Sequence, residues 1–140
     1  MDIAPQLLSE IVEHALRDAP NECCGVVASE PGNDGGPPRR AAKVYAAVNA
    51  APVEQQPRRF EIDGRDVFAL YERIEREGLE LTGIYHSHTR TAPHPSQTDI
   101  NFAQRWPGVE WIIVGVSDPQ RPEVRTFLID GPEVTELVPS

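Results

Sequence analysis

Stretches with helical spacing alternate with short apolar runs along this chain, and that alternation commits it to a sheet layered with helices. Residues 6–19 place Leu7, Leu8, Ile11, Val12, Ala15 and Leu16 on one face of a helix that Pro20 stops, with His14 on its polar side. Residues 24–28 (CGVVA) suit a buried strand. Residues 30–40 (EPGNDGGPPRR) are a Gly- and Pro-rich loop, too short to link folded domains, so a hairpin connection to a returning strand at 41–49 is expected. Residues 50–59 are irregular. A second helix spans 63–77, with Asp63 as N-cap, a stripe of Val67, Leu70, Tyr71 and Ile74, and Gly78 as its stop. Residues 79–88 (LELTGIYHSH) read as a strand ending in polar residues, and 89–95 as a loop. Ser96 caps a short helix through Gln104. Residues 110–116 (EWIIVGV) are the most strand-like run, and 124–129 and 134–138 are two further strands parted by Asp130-Gly131-Pro132. The order α-β-β-α-β-α-β-β-β predicts one α/β domain over 1–140, a mixed sheet with helices on both sides. A length of 140 residues with 39% hydrophobic content suits one core.

Charge removes several functions. Against 22 acidic residues stand 13 Lys and Arg, a net charge of -9, and such a surface repels a phosphate backbone, so nucleic acid is excluded as a partner. No run approaches the ~20 apolar residues that span a bilayer, and residues 1–20 do not read as a signal peptide, so no membrane role and a cytoplasmic location are expected. The two cysteines, Cys23 and Cys24, are adjacent and form no disulfide framework. They read as small buried hydrophobes, with a Cys23 thiol nucleophile or a Cys23 metal ligand as rival readings.

The chemistry is concentrated in residues 83–99, GIYHSHTRTAPHPSQTD. On an extended strand, His86 and His88 project from one face, roughly 6.5–7 Å apart along the chain, and their nitrogens can converge on one ion. Taken alone, His-x-His is more often an ordinary polar strand end than a metal site. Asp99 lies 11 positions after His88, and a loop of that length returns its carboxylate over the strand end. Two histidines and one carboxylate leave a fourth position open for water, the pattern of a catalytic zinc. Glu22, just before the 24–28 strand, is a candidate general base, although position alone does not separate it from other glutamates. Ser96 is placed to donate to an oxyanion. The same Ser96-x-x-Asp99 spacing is close to a capping box, a role that competes with metal ligation for Asp99. His94 reads as exposed or as a substrate contact, Trp106 and Trp111 as packing residues, and Arg58-Arg59 as a solvated pair or a contact for an acidic group.

Glu22, His86-Ser87-His88, seven residues, Ser96, two residues and Asp99 together resemble the JAMM, or MPN+, metalloproteases. The resemblance runs from the first helix past residue 110. It implies the MPN fold, a mixed sheet flanked by helices with a cytidine-deaminase-like layout. It implies one zinc per chain on His86, His88 and Asp99, Glu22 as general acid/base and Ser96 as oxyanion stabiliser. Members cleave peptide or isopeptide bonds after the C-terminal glycine of ubiquitin-like proteins. The Glu-Cys-Cys-Gly-Val-Val and Tyr-His-Ser-His-Thr runs and the compact length are most similar to the short bacterial members. These imply a ubiquitin-like sulfur-carrier protein, or its C-terminal cysteine adduct, as partner and a place in cysteine biosynthesis. A homodimer stays open, as does the alternative of a non-catalytic module that only binds the carrier.

Overall fold

The α2–β3–α3–β4 portion of the chain builds a parallel strand pair inside an otherwise antiparallel sheet. In a computed structural model, which describes residues 1–32 and 39–137, the elements are α1 (Pro5–Asp18), β1 (Cys24–Ser29), β2 (Ala41–Ala47), a 3-10 turn (Val53–Gln55), α2 (Gly64–Arg76), β3 (Glu80–His88), α3 (Gln97–Ala103), β4 (Glu110–Gly115), β5 (Glu123–Asp130) and β6 (Glu133–Leu137). The sheet order is β2-β1-β3-β4-β5-β6. Only β3 and β4 run parallel, because α3 and its loops carry the chain back to the same end of the sheet. The expected element order holds throughout. The 30–40 connection lies partly outside the described residues, as does Val138 at the end of the last strand, but β1 and β2 pair antiparallel as a hairpin requires.

Helices cover both faces. Ile11 and Ala15 of α1 pack with Val27, Tyr85, Ile112 and Val114 on one side. Ile74 of α2 and Ala103 of α3 pack with Val26, Ile84, Trp111, Ile113 and Phe127 on the other. Period-2 alternation assigns each strand's residues to these two layers. β1, β3 and β4 are buried almost end to end, as strands covered on both faces must be.

Two details correct the sequence reading. His14 is not on the polar side of α1: it is 7% exposed, and its Nδ1 lies 2.7 Å from the Tyr85 hydroxyl. It falls three residues after Ile11 and beside Ala15, so the buried stripe runs through it and leaves Leu16 37% exposed. On α2, Tyr71 stays outside the core and stacks on Trp106. No helix among the described residues is long and apolar enough to cross a membrane.

Candidate metal centre

β3 delivers its last residues to the sheet's end in alternation. His86 and His88 share the face of Ile84, toward α2 and α3, while Tyr85 and Ser87 point toward α1. α3 then begins beyond an eight-residue loop. Ser96 is its N-cap, accepting from Asp99 N at 3.1 Å, and Asp99 accepts from Ser96 N at 2.9 Å, a complete capping box. The cap turns the Asp99 carboxylate inward, where it is 5% exposed.

The result is a triangle of ligand atoms. His86 Nε2 and His88 Nε2 are 3.2 Å apart, and Asp99 Oδ2 is 3.2 Å from the first and 3.1 Å from the second. Ligands at the usual zinc distances around a tetrahedral ion are separated by roughly 3.3 Å. Among the described residues, this trio is the one cluster of three or more His, Cys, Asp or Glu with converging ligand atoms. Borderline-soft nitrogen and one carboxylate oxygen, with a tetrahedral corner left over, fit a zinc ion.

Neighbours fix the donors. His88 Nδ1 donates to the Ala92 carbonyl at 2.9 Å, which leaves Nε2 as the nitrogen that faces His86 and Asp99. Phe60 stacks on the His86 ring with centroids 4.5 Å apart. Burial opposes charge at Asp99, but the neighbouring His86 imidazole and hydrogen bonds from both histidines and Ser96 N outweigh it, and its carboxyl is held far below the usual range. Burial also opposes a charged His88, yet Asp99 and the Ala92 carbonyl prevail and raise its pKa.

Glu22 reaches the site through sheet register. Cys24 pairs with His86, and the pairing continues outward: Cys23 N donates to Ser87 Oγ at 2.8 Å and Ser87 N donates to Cys23 O at 3.2 Å. Glu22 therefore falls opposite His88. Its N–H donates to the Gln56 carbonyl and its own carbonyl accepts from Asn49 Nδ2 at 3.0 Å. The side chain is 5% exposed, and Oε1 is buried with no partner among the described residues. Burial, with some help from Asp99 and against the pull of His88, lifts its pKa to about 8.

Glu22, His86, His88, Ser96 and Asp99 thus gather at one end of β3. Asp99 fills the capping role, and the same Oδ2 that takes the Ser96 N–H also faces both histidines. Capping therefore does not turn this oxygen away from the candidate ligand position. Sequence reasoning assigns no role of their own to Ser87, Asn49 and Phe60. The alternation of His-Ser-His could have flagged Ser87, whereas Asn49 and Phe60 carry no local signal. Cys23 and Cys24 are buried and their thiols are pushed up to about 12 by that burial, which removes the thiolate that a nucleophile at neutral pH requires. His94 is exposed and sits edge-on to Phe127.

A mixed sheet with two histidines and an aspartate gathered at the end of its parallel pair is the layout of a JAB, or MPN, domain. The chain matches the family model described as prokaryotic homologs of the JAB domain over residues 4–130, and it belongs to that family. It is 34% identical over 134 residues to the CysO-cysteine peptidase of Mycobacterium tuberculosis, covering 96% of this chain and 86% of that one. It is 35% identical over 113 residues to the desampylase of Haloferax volcanii, covering 80% and 75%. The solution structure of protein DSY2949 from Desulfitobacterium hafniense superposes with a TM-score of 0.82 at 28% identity, covering 97% of this chain and 88% of that one. A JAB1/MPN domain protein from Archaeoglobus fulgidus superposes at 0.63 with 18% identity over 99% and 96%, a likeness of fold.

Proposed function

We propose that this chain is a zinc metallopeptidase of the JAMM type that hydrolyses the peptide or isopeptide bond at the C-terminus of a ubiquitin-like sulfur-carrier protein, releasing cysteine from a carrier–cysteine adduct in the cytoplasm. The observation that carries the reading is the near-equilateral triangle of His86, His88 and Asp99 side-chain atoms, with a buried Glu22 nearby whose Oε1 has no partner among the described residues. The peptidase and desampylase among its relatives support the reaction class and the kind of substrate.

Bound there, zinc supplies Lewis acidity, which polarises a scissile carbonyl and makes water acidic enough to attack near neutral pH. The protein's own groups do the rest. His86, His88 and Asp99 hold the charge in place. Glu22 takes the proton of the attacking water and delivers it to the leaving amine. A carboxyl pushed up to about 8 is poised for both transfers near neutrality. The bond from Asp99 N uses one lone pair of Ser96 Oγ and leaves its proton to donate to the developing oxyanion.

Elemental mass spectrometry of the purified protein should find about one zinc per chain, lost in His88→Ala. Glu22→Gln should keep the zinc and lose cleavage of a carrier–cysteine adduct by roughly a hundred- to ten-thousandfold. Full activity in Glu22→Gln, or no zinc even when it is offered, would sink the assignment. Tight carrier binding without cleavage under any metal condition would instead select the binding-module alternative.

A further inference from the structure

A cleft of about 370 Å³ opens beside the metal centre, with Asp99 in its wall. Its rim is formed by the 59–62 segment on one side and by α3 on the other. Two arginines line it, Arg59 and Arg105, on a chain whose net charge is -9. Arg105 has no ion pair among the described residues and is exposed. Arg59 donates to Gln55 Oε1 at 3.0 Å and pairs with Glu61, while its Nε is buried without a partner among the described residues. Of the two acids in the lining, Glu61 is held by Arg59 and Asp99 by the histidines. Arg105 is therefore an unspent positive charge in a small cleft that borders a metal ligand.

From this we infer that the cleft is the leaving-group subsite, and that Arg105, with Arg59, binds the α-carboxylate of a single C-terminal amino acid. The inference rests on the metallopeptidase reading and adds what the site selects. On the carrier side, the scissile bond ends in glycine, which presents neutral peptide groups. On the leaving side, a single amino acid presents one full negative charge, two bonds from the scissile nitrogen. A guanidinium in the cleft that Asp99 also lines matches that charge in sign, and its planar fork suits a carboxylate. The side chain of a lysine in an isopeptide linkage offers no carboxylate at that distance, and the arginines disfavour cationic surroundings. The enzyme is thus built to trim a free amino acid from a carrier's end in preference to separating two proteins.

The test compares two probes that differ by one charge. A ubiquitin-like carrier extended by serine after its terminal glycine is prepared as the free acid and as the C-terminal amide, serine avoiding thiol coordination of zinc. The zinc-loaded protein should prefer the acid by roughly ten- to a hundredfold in kcat/KM, the range expected of a part-exposed charge-assisted contact. That ratio should collapse toward one in Arg105→Ala, fall in Arg59→Lys, which keeps the charge but loses the planar fork, and shrink with added salt. A second arm reads binding alone, titrating both probes into zinc-loaded Glu22→Gln protein, where the acid should again bind tighter and Arg105→Ala should erase the difference. Equal handling of acid and amide in both arms overturns the inference. So does a preference that survives in both arginine variants, since the carboxylate would then be reaching the metal itself. If neither probe is cleaved by the native enzyme, the metallopeptidase reading is what fails, and the binding arm still decides the subsite.

Discussion

Asp99 Oδ2 is the atom on which the site turns. It closes the cap of α3 through Ser96 N and completes the ligand triangle with the two imidazoles. Cap and chemistry are separable at Ser96. Ser96→Gly keeps a tolerated N-cap residue, so stability should fall by only about a few tenths of a kcal/mol, whereas loss of an oxyanion donor should cut kcat by roughly a hundredfold or more. Urea denaturation set beside steady-state cleavage checks this, and an unchanged kcat would remove Ser96 from the reaction. The imidazoles make a second prediction. A ligating nitrogen must be unprotonated, and the environment of His88 raises its pKa, so protons compete with zinc below neutrality. Zinc affinity measured with a chelating indicator should weaken from pH 7 to pH 5, and a flat profile would argue against imidazole ligation.

β3 is the element through which both faces of the molecule meet the metal centre. Its inward residue Tyr85 lies across Gly25 of β1, where an added Cβ would come within 2.2 Å of the Tyr85 ring. The ring cannot retreat easily, since it is buried and its hydroxyl is tied to His14. Gly25→Ala should therefore destabilise by about 1–3 kcal/mol or more, the range for overpacking, and weaken zinc binding through the adjacent His86. A normal denaturation midpoint would mean the sheet absorbs the methyl. α1 contributes a pH effect of its own. Burial lowers the His14 pKa, against the opposing pull of Asp18. The unfolded chain then takes up a proton near pH 6.5 before the folded chain does, so stability from this residue is present above about 6.5 and lost as pH falls. Urea midpoints at pH 7.5 and 5.5 should differ more in the native protein than in His14→Gln.

At the scale of the molecule, the sheet and its two helical layers hold together around apolar residues, and the candidate metal ligands sit at the sheet's end. Stability should accordingly depend on zinc only through mass action, about 2.7 kcal/mol when free zinc is a hundredfold above its dissociation constant. Chelation should lower the melting midpoint yet leave a cooperative transition and an unchanged far-UV circular dichroism spectrum. Collapse of the spectrum on chelation would show that the ion is structural.

The sequence by itself determined the element order and the two-layered cover of the sheet, and it named the candidate ligands, because hydrophobic period and residue spacing are local quantities. Residues two apart on a strand share a face wherever that strand lies, so His86 and His88 could be placed together before any fold was known. Tertiary structure alone decided what depends on partners distant in the chain. His14 is buried because α1 rolls its 11–15 stripe onto Tyr85, a partner 71 positions away. Glu22, which the family resemblance names but position alone does not, is set opposite His88 by the β1–β3 register, and Asn49 and Phe60 matter only because the 49–61 segment folds against that register. The cleft that joins Arg59 to Arg105 exists only once α3 packs beside that same segment. Spacing along the chain carries no information on such packing, since it is set by which side chains fill the space between layers.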